Sequence, residues 1–280
     1  MIQDIGTHNY HNEYRPVPPK KDSILLCYQG REIFARMDGD KISYPTFAEA
    51  EICNDEKLLY EEYTYLFSID DTCYYLGSYL DFQKIPGYEL VDTQIFRKAE
   101  PRELAFAGVT GWQLHRWYST RKYCGRCGKP MIHDEKERMM RCPECGLMEF
   151  PKICPAVIIG VTHGDKILMS KYAGRDFKKY ALIAGFAEVG ETIEETVRRE
   201  VMEEVGLKVK NITYYKSQPW SFSDTLLMGF FCELSGEDEI TLDEEELALA
   251  EWFTREDMPV EWEGISLTNE MMMMFKEGKI

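Results

Sequence analysis

The stretch Gly190–Leu207, GETIEETVRREVMEEVGL, fixes a helix at both ends and then sets acids where its apolar face must lie. Thr192 followed three residues later by Glu195 is a capping box, and Gly206 is a natural stop, so the spacing predicts a helix from Ile193 to Val205. At about 100° per residue, with Glu200 at zero, Ile193, Val197, Val201 and Val205 fall at roughly 20°, 60°, 100° and 140° and form the buried stripe. Glu204 falls at roughly 40°, inside that stripe, and Glu203 at roughly 300°, beside Glu200 at its edge. A solvated face would put these acids opposite the valines. Three carboxylates spaced i, i+3, i+4 repel one another and resist desolvation unless a cation compensates them. Hard divalent cations such as Mg²⁺ or Mn²⁺ prefer oxygen ligands of this kind. Glu194 and Glu195 lie in the first turn, where negative charge favours the helix dipole and the cap. Arg199, next to the cluster, is expected to orient a carboxylate by ion pairing.

A second pattern lies upstream. Cys124-Gly-Arg-Cys127, fourteen residues, then Cys142-Pro-Glu-Cys145 is the spacing of a zinc ribbon, two tight turns whose four thiolates meet in a tetrahedron. Two disulfides or four free thiols are the alternatives. The other five cysteines (Cys27, Cys53, Cys73, Cys154, Cys232) are scattered singly and suit a reducing compartment, which argues against oxidation. Four sulfurs close the coordination shell, so one structural zinc is expected.

With 280 residues, 44% of them hydrophobic, the chain can bury a core larger than one usual domain. A mixed N-terminal domain is expected over 1–120, the ribbon over 121–150 and a third domain over 151–280. In the first, Leu104, Ala107, Val109, Trp112, Leu114 and Trp117 have helical spacing. In the third, CPAVIIGVTHGDKILMSKY reads as strand, turn at Gly164-Asp165, strand; LLMGFFCEL reads as a buried strand, LDEEELALAEWFT as a mixed acidic and apolar stretch, and SLTNEMMMMFKEG as a closing helix. No apolar run approaches the ~18 residues of a membrane helix, so a soluble, cytoplasmic protein is expected. A formal charge of −16 disfavours sequence-independent binding to nucleic acid or anionic membrane. A phosphate-bearing ligand must then be met by a bound metal or a few local cations, among which Arg97, Arg175 and Lys179 are candidates.

Gly185, five residues, Glu191, seven residues, then Arg199-Glu200-Val201-Met202-Glu203-Glu204-Val205-Gly206-Leu207 resembles a complete Nudix box, G-x5-E-x7-R-E-U-x-E-E-x-G-U. The resemblance implies an α+β chain: a Nudix α/β/α sandwich around a mixed sheet, preceded by the ribbon and the N-terminal mixed α/β domain. The upstream ribbon, the joining segment FPKICPAVI and the downstream SQPWSFSDTLLMGF are similar to the NADH pyrophosphatase (NAD diphosphatase) branch, whose signature reads S-Q-P-W-P-F-P-x-S. Ser217, Gln218, Pro219, Trp220 and Phe222 match, while Ser221, Ser223 and Thr225 depart from it. Losing two prolines is expected to loosen a loop there.

The resemblance further implies that Glu200 and Glu204 ligate the catalytic metal, with Glu203 and the backbone carbonyl of Ala184 beside them. Glu246 in LDEEELALAEW matches a distal glutamate that serves as added ligand or base; Glu244 and Glu245 in the same acidic run leave its register open. Phe186 matches an aromatic that stacks on the dinucleotide, and Phe150 takes a position often occupied by tyrosine. Trp220 read without the family would more often be core than ligand contact.

The expected activity is metal-dependent hydrolysis of the NADH or NAD⁺ pyrophosphate bond to nicotinamide mononucleotide and AMP, with Glu203 or Glu246 as base and a homodimer as the assembly. Removal of NAD caps from RNA 5′ ends, or hydrolysis of ADP-ribose or another nucleoside diphosphate derivative, is the alternative. A third reading, an inert domain whose ribbon docks a partner, conflicts with the crowding of carboxylates that only a metal would compensate.

Overall fold

The computed structural model describes residues 1–77, 84–174 and 179–280; Arg175 lies outside the described residues. The chain forms two compact units, one of Ile2–Lys152 with Ser221–Ser223 and one of Met1, Ile153–Trp220 and Asp224–Ile280.

In the first unit, β1 (Tyr10–His11), β6 (Thr64–Ile69), β7 (Thr72–Leu76) and β2 (Ile24–Leu26) form one sheet in that order. A second joins β3 (Tyr28–Gln29), β4 (Glu32–Asp38) and β5 (Lys41–Ser43), with β8 (Glu89–Asp92) also on β4. Two short helices, α1 (Phe47–Ala50) and α2 (Glu56–Glu61), lie between the strands. Leu25, Phe34, Phe47, Tyr65 and Tyr75 bury together as one core. The apolar spacing noted above becomes α3 (Arg102–Thr120), fastened by the Tyr28 hydroxyl donating to the Gly108 carbonyl (2.6 Å) and that of Tyr44 to Leu104 (2.8 Å). A three-stranded ribbon follows, β9 (Ile132–His133), β10 (Met140–Arg141) and β11 (Met148–Glu149), in the order β11-β10-β9.

The second unit is a helix-sheet-helix sandwich. Its strands are β12 (Cys154–His163), β13 (Lys166–Tyr172), β14 (Ile183–Phe186), β15 (Val209–Trp220), β16 (Thr225–Leu234) and β17 (Leu247–Thr254), ordered β15-β16-β12-β13-β17 with β14 also on β12. The sheet is mixed: β12 runs parallel to β16, while β15 on β16 and β13 on β17 are antiparallel. β12 is apolar on both faces, as a strand covered on both sides must be. Val157, Ile159 and Val161 face α4 (Ile193–Val205), whose Val197, Val201 and Val205 are fully buried against them. Ile158, with Leu182 and Phe231, faces α5 (Leu267–Lys276) through Leu267, Met271 and Phe275.

LDEEELALAEWFT therefore contains a strand, β17, while SQPW closes the edge strand β15 and Ser221 and Ser223, where the two prolines are lost, lie in the turn that follows. Pro219 fits in β15 because an edge strand leaves one row of N–H positions unpaired. Among the described residues, no helix is long and apolar enough to cross a membrane.

Candidate active site

The loop between β14 and α4 is shaped by Glu191. Its Oε2 accepts from the Glu188 N–H, the Thr196 hydroxyl and Arg199 Nη2, each at 3.0 Å, and its Oε1 accepts from Arg199 Nε at 2.5 Å. The guanidinium, aided by the backbone donor, holds the Glu191 carboxyl down at about 2. Arg199 also donates from Nη1 to Glu200 (2.7 Å) and Glu203 (2.8 Å), and from Nη2 to the Phe186 carbonyl (2.9 Å). One side chain thus joins three carboxylates to the end of β14.

The capping box forms as its residues dictate: the Thr192 hydroxyl accepts from the Glu195 N–H and the Glu195 carboxylate accepts from the Thr192 N–H. Gly206 closes the helix with a left-handed φ of 71°. Between these caps the helical wheel puts Glu204 inside the valine stripe, where it is 2% exposed, and Glu200 at the stripe's edge, 8% exposed. Glu200 lies flat on β14, because a Cβ at Gly185 would stand 1.8 Å from its Cδ and about as close to both oxygens. Burial pushes the Glu200 pKa up; Arg199 opposes the rise, and the charges of Glu203 and Glu246 add to it.

Glu203 turns outward, its side chain 57% exposed, toward Arg199. Glu246 is exposed just before β17, at the end of a segment laid along α4 by the Asp243 N–H donating to the Glu204 carbonyl (3.0 Å). Ala184 stands opposite Ile158 and precedes Gly185. Two buried carboxylates beside a single guanidinium that is shared with two more acids form an oxygen-rich, anionic donor set. That set fits a hard divalent cation. Among the described residues, though, only the four cysteines are brought together with every ligand atom within 4.8 Å of the others.

The expected substrate contacts divide. Phe186 is 54% exposed at the end of β14. Ser217 is half-buried, Pro219 exposed and Trp220 half-buried, paired across to Thr225. Gln218 is fully buried: its Nε2 donates to the Ile265 carbonyl (2.9 Å) and its Oε1 accepts from the Leu267 N–H (2.7 Å). It holds the turn that starts α5. Phe222 belongs to the first unit, with the Arg97 guanidinium 4.5 Å from its ring centroid and Trp112 edge-on at 6.5 Å. Phe150 is exposed in that unit. Of the candidate cations, Lys179 pairs with Glu263, and Arg97 donates to Gln94 (2.8 Å) besides covering Phe222. The partner of Gly185 and the hydrogen bond from Thr196 had no signature in the sequence, since both depend on how β14 meets α4.

In the ribbon, Sγ of Cys124 lies 3.5 Å from that of Cys145, and Cys127 stands at the same distance from Cys142. Four sulfurs around one zinc at about 2.3 Å would sit roughly 3.8 Å apart, so the tetrad fits the ion. At Cys124 burial raises the thiol pKa, but N–H groups of Cys127 and Arg126 outweigh it and bring it to about 6, toward the thiolate that zinc needs.

Residues 152–271 match the family model described as NUDIX domain, and residues 119–150 the one described as NADH pyrophosphatase zinc ribbon domain. The chain is 39% identical over 150 residues to the NAD-capped RNA hydrolase NudC of Klebsiella pneumoniae, an overlap of 54% of this chain and 58% of that protein. It is 41% identical over 158 residues to the protein of the same name from Citrobacter koseri, covering 56% of this chain and 60% of that one. The chain thus spans about 60% of the length of the curated relatives it matches. A Nudix hydrolase structure from Nitrosomonas europaea aligns with a TM-score of 0.47 at 24% identity, over 56% of this chain and 91% of that one. Residues 152–271 are thus a Nudix domain, set directly behind an NADH pyrophosphatase zinc ribbon domain at residues 119–150.

Proposed function

We propose that this protein is a metal-dependent NAD(H) diphosphatase that hydrolyses the pyrophosphate bond of NADH or NAD⁺ to nicotinamide mononucleotide and AMP. The observation that carries the reading is the burial of Glu200 and Glu204 on the valine face of α4, with Glu200 laid on Gly185. Glu200, Glu204, Glu203, Glu246 and the Ala184 carbonyl would hold Mg²⁺ or Mn²⁺. Such ions, when bound, neutralise a diphosphate and acidify a water ligand. Arg199 keeps Glu200 and Glu203 oriented while Glu191 fixes Arg199 in turn. Glu203 or Glu246 accepts the proton of the attacking water. The new P–O bond forms at one phosphorus, and the bridging oxygen leaves with the electron pair of the broken bond. Phe186, exposed beside this centre, offers a face on which a planar ring can stack.

The names of the relatives support a second substrate, the NAD cap of an RNA 5′ end. In either case the acidic surface, net −16, confines recognition to the dinucleotide rather than to an extended RNA backbone. The reading also includes one structural zinc held by Cys124, Cys127, Cys142 and Cys145, a homodimer, a cytoplasmic location, and division of the chain into 1–120, 121–150 and 151–280.

The test is steady-state hydrolysis of NADH, NAD⁺, ADP-ribose and NAD-capped RNA with Mg²⁺ or Mn²⁺, with products identified by mass. NADH is expected to give nicotinamide mononucleotide and AMP. E203Q, E204Q and E246Q, each measured separately, are expected to lower kcat by about 10²–10⁴-fold with folding intact, the range of lost acid-base or metal chemistry. Negligible turnover of NADH and NAD⁺ overturns the substrate reading, and full activity in E203Q and E204Q overturns the metal site.

A further inference from the structure

Register places a trough on the α5 side of the sheet. Gln218 stands opposite Leu227, Leu227 opposite Ala156, and Ala156 opposite Phe186. Residues directly across adjacent strands share a face, and Leu227 with Ala184 packs into the α5-side core, so this row faces α5. Three strand spacings make the row about 14 Å wide. Its floor is Ala156 and Leu227. One wall is Phe186; the other is the turn at Ile265–Leu267 that Gln218 holds.

The segment entering that turn is firmly tied. The buried Asn269 side chain donates to the Glu261 carbonyl (2.7 Å) and accepts from the Glu263 N–H (2.8 Å). Lys276 donates to the Met258 (2.9 Å) and Val260 (2.8 Å) carbonyls, and Lys179 pairs with Glu263. Between the two residues that Asn269 fixes sits Trp262, and its side chain points to solvent, with 58% of the residue exposed. A Cβ at Gly264 would stand 3.2 Å from the indole Nε1, so one edge of the ring follows the loop's own backbone. Trp262 lies three positions before Ile265, a span of at most about 10 Å. An aromatic with so large a stacking surface is thus held in water, on a braced loop, within about 10 Å along the chain of the turn that bounds the trough opposite Phe186.

We infer that Trp262 is a specificity-determining residue that stacks on one planar ring of a dinucleotide substrate while Phe186 takes the other. The inference rests on the diphosphatase reading above. A dinucleotide carries a ring on each side of its diphosphate, whereas ADP-ribose carries one, so two aromatic walls favour the former.

The experiment measures kcat and KM of wild type, W262A and W262F for NADH and ADP-ribose with Mg²⁺, together with thermal midpoints. W262A is expected to raise KM for NADH about tenfold, the usual effect of losing one base-stacking ring, with kcat and thermal midpoint held. W262F is expected to keep KM within about threefold of wild type. A matching rise in KM for ADP-ribose assigns Trp262 to the adenine, and an unchanged value assigns it to the nicotinamide; both support the inference. Wild-type turnover of NADH with KM for W262A within twofold of wild type overturns it and leaves the diphosphatase reading standing. Wild type inert toward NADH and NAD⁺ overturns both.

Discussion

Glu200 keeps its carboxylate on β14 only because Gly185 has no side chain, and that makes Gly185 the most sensitive neutral position near the acids. In G185A the methyl would meet the Glu200 carboxylate at 1.8–2.1 Å, far inside contact distance, so either the carboxylate or the strand must move. Kcat is expected to fall at least about 100-fold, the effect of misplacing a reacting group by an ångström. Steady-state kinetics measure the loss, and circular dichroism checks that the fold persists. At this scale the sequence was legible along the helix and opaque across it. The wheel placed Glu204 among valines at a position that proves 2% exposed, because helical geometry fixes which residues share a stripe. It gave no account of Gln218, which reads as a ligand contact in SQPW yet spends both ends of its amide on the backbone of a turn 47 residues away.

Among the elements, α4 has its boundaries written into Thr192, Glu195 and Gly206, and it runs over Ile193–Val205. T192A removes the hydroxyl that accepts from the Glu195 N–H and is expected to destabilise the second unit by about 1 kcal/mol. Urea unfolding followed by circular dichroism should show the lowered midpoint, with kcat within twofold of wild type since Thr192 caps the helix and touches no acid of the site. β17 was harder to see. Its acidic lead-in, Asp243 to Glu246, blurs the alternation, and as an edge strand it pairs, among the described residues, only with β13 and buries Leu247 most fully. β15 carries Pro219 for the same reason of position: an edge strand tolerates residues that sequence rules assign to loops.

At the scale of the whole chain, the ribbon cysteines were legible from spacing alone, since a tetrahedron of sulfurs needs two tight turns and little else. Elemental analysis is expected to find one zinc per chain, and C142S is expected to lose it along with a lowered thermal midpoint by calorimetry, because Cys142 is 1% exposed at the centre of a small core with Trp117, Met131 and Met140. The order of the strands in the sheet was not legible. Apolar runs fix which segments are strands, but parallel partners lie far apart in sequence and leave no local sign.

That parallel pairing has a consequence for synthesis. Ile159 of β12 pairs with Phe230 of β16, 71 positions later. At about 5–20 residues per second, a ribosome delivers the second strand about 4–14 s after the first. Throughout that interval β12 can bond to β13 and β14 while its flank toward β16 stays bare, and α4 can wind without a finished sheet beneath its valines. The nascent chain therefore presents an apolar strand edge for seconds, and a chaperone that binds such edges should engage chains stalled before Thr225 and release those extended past Leu234.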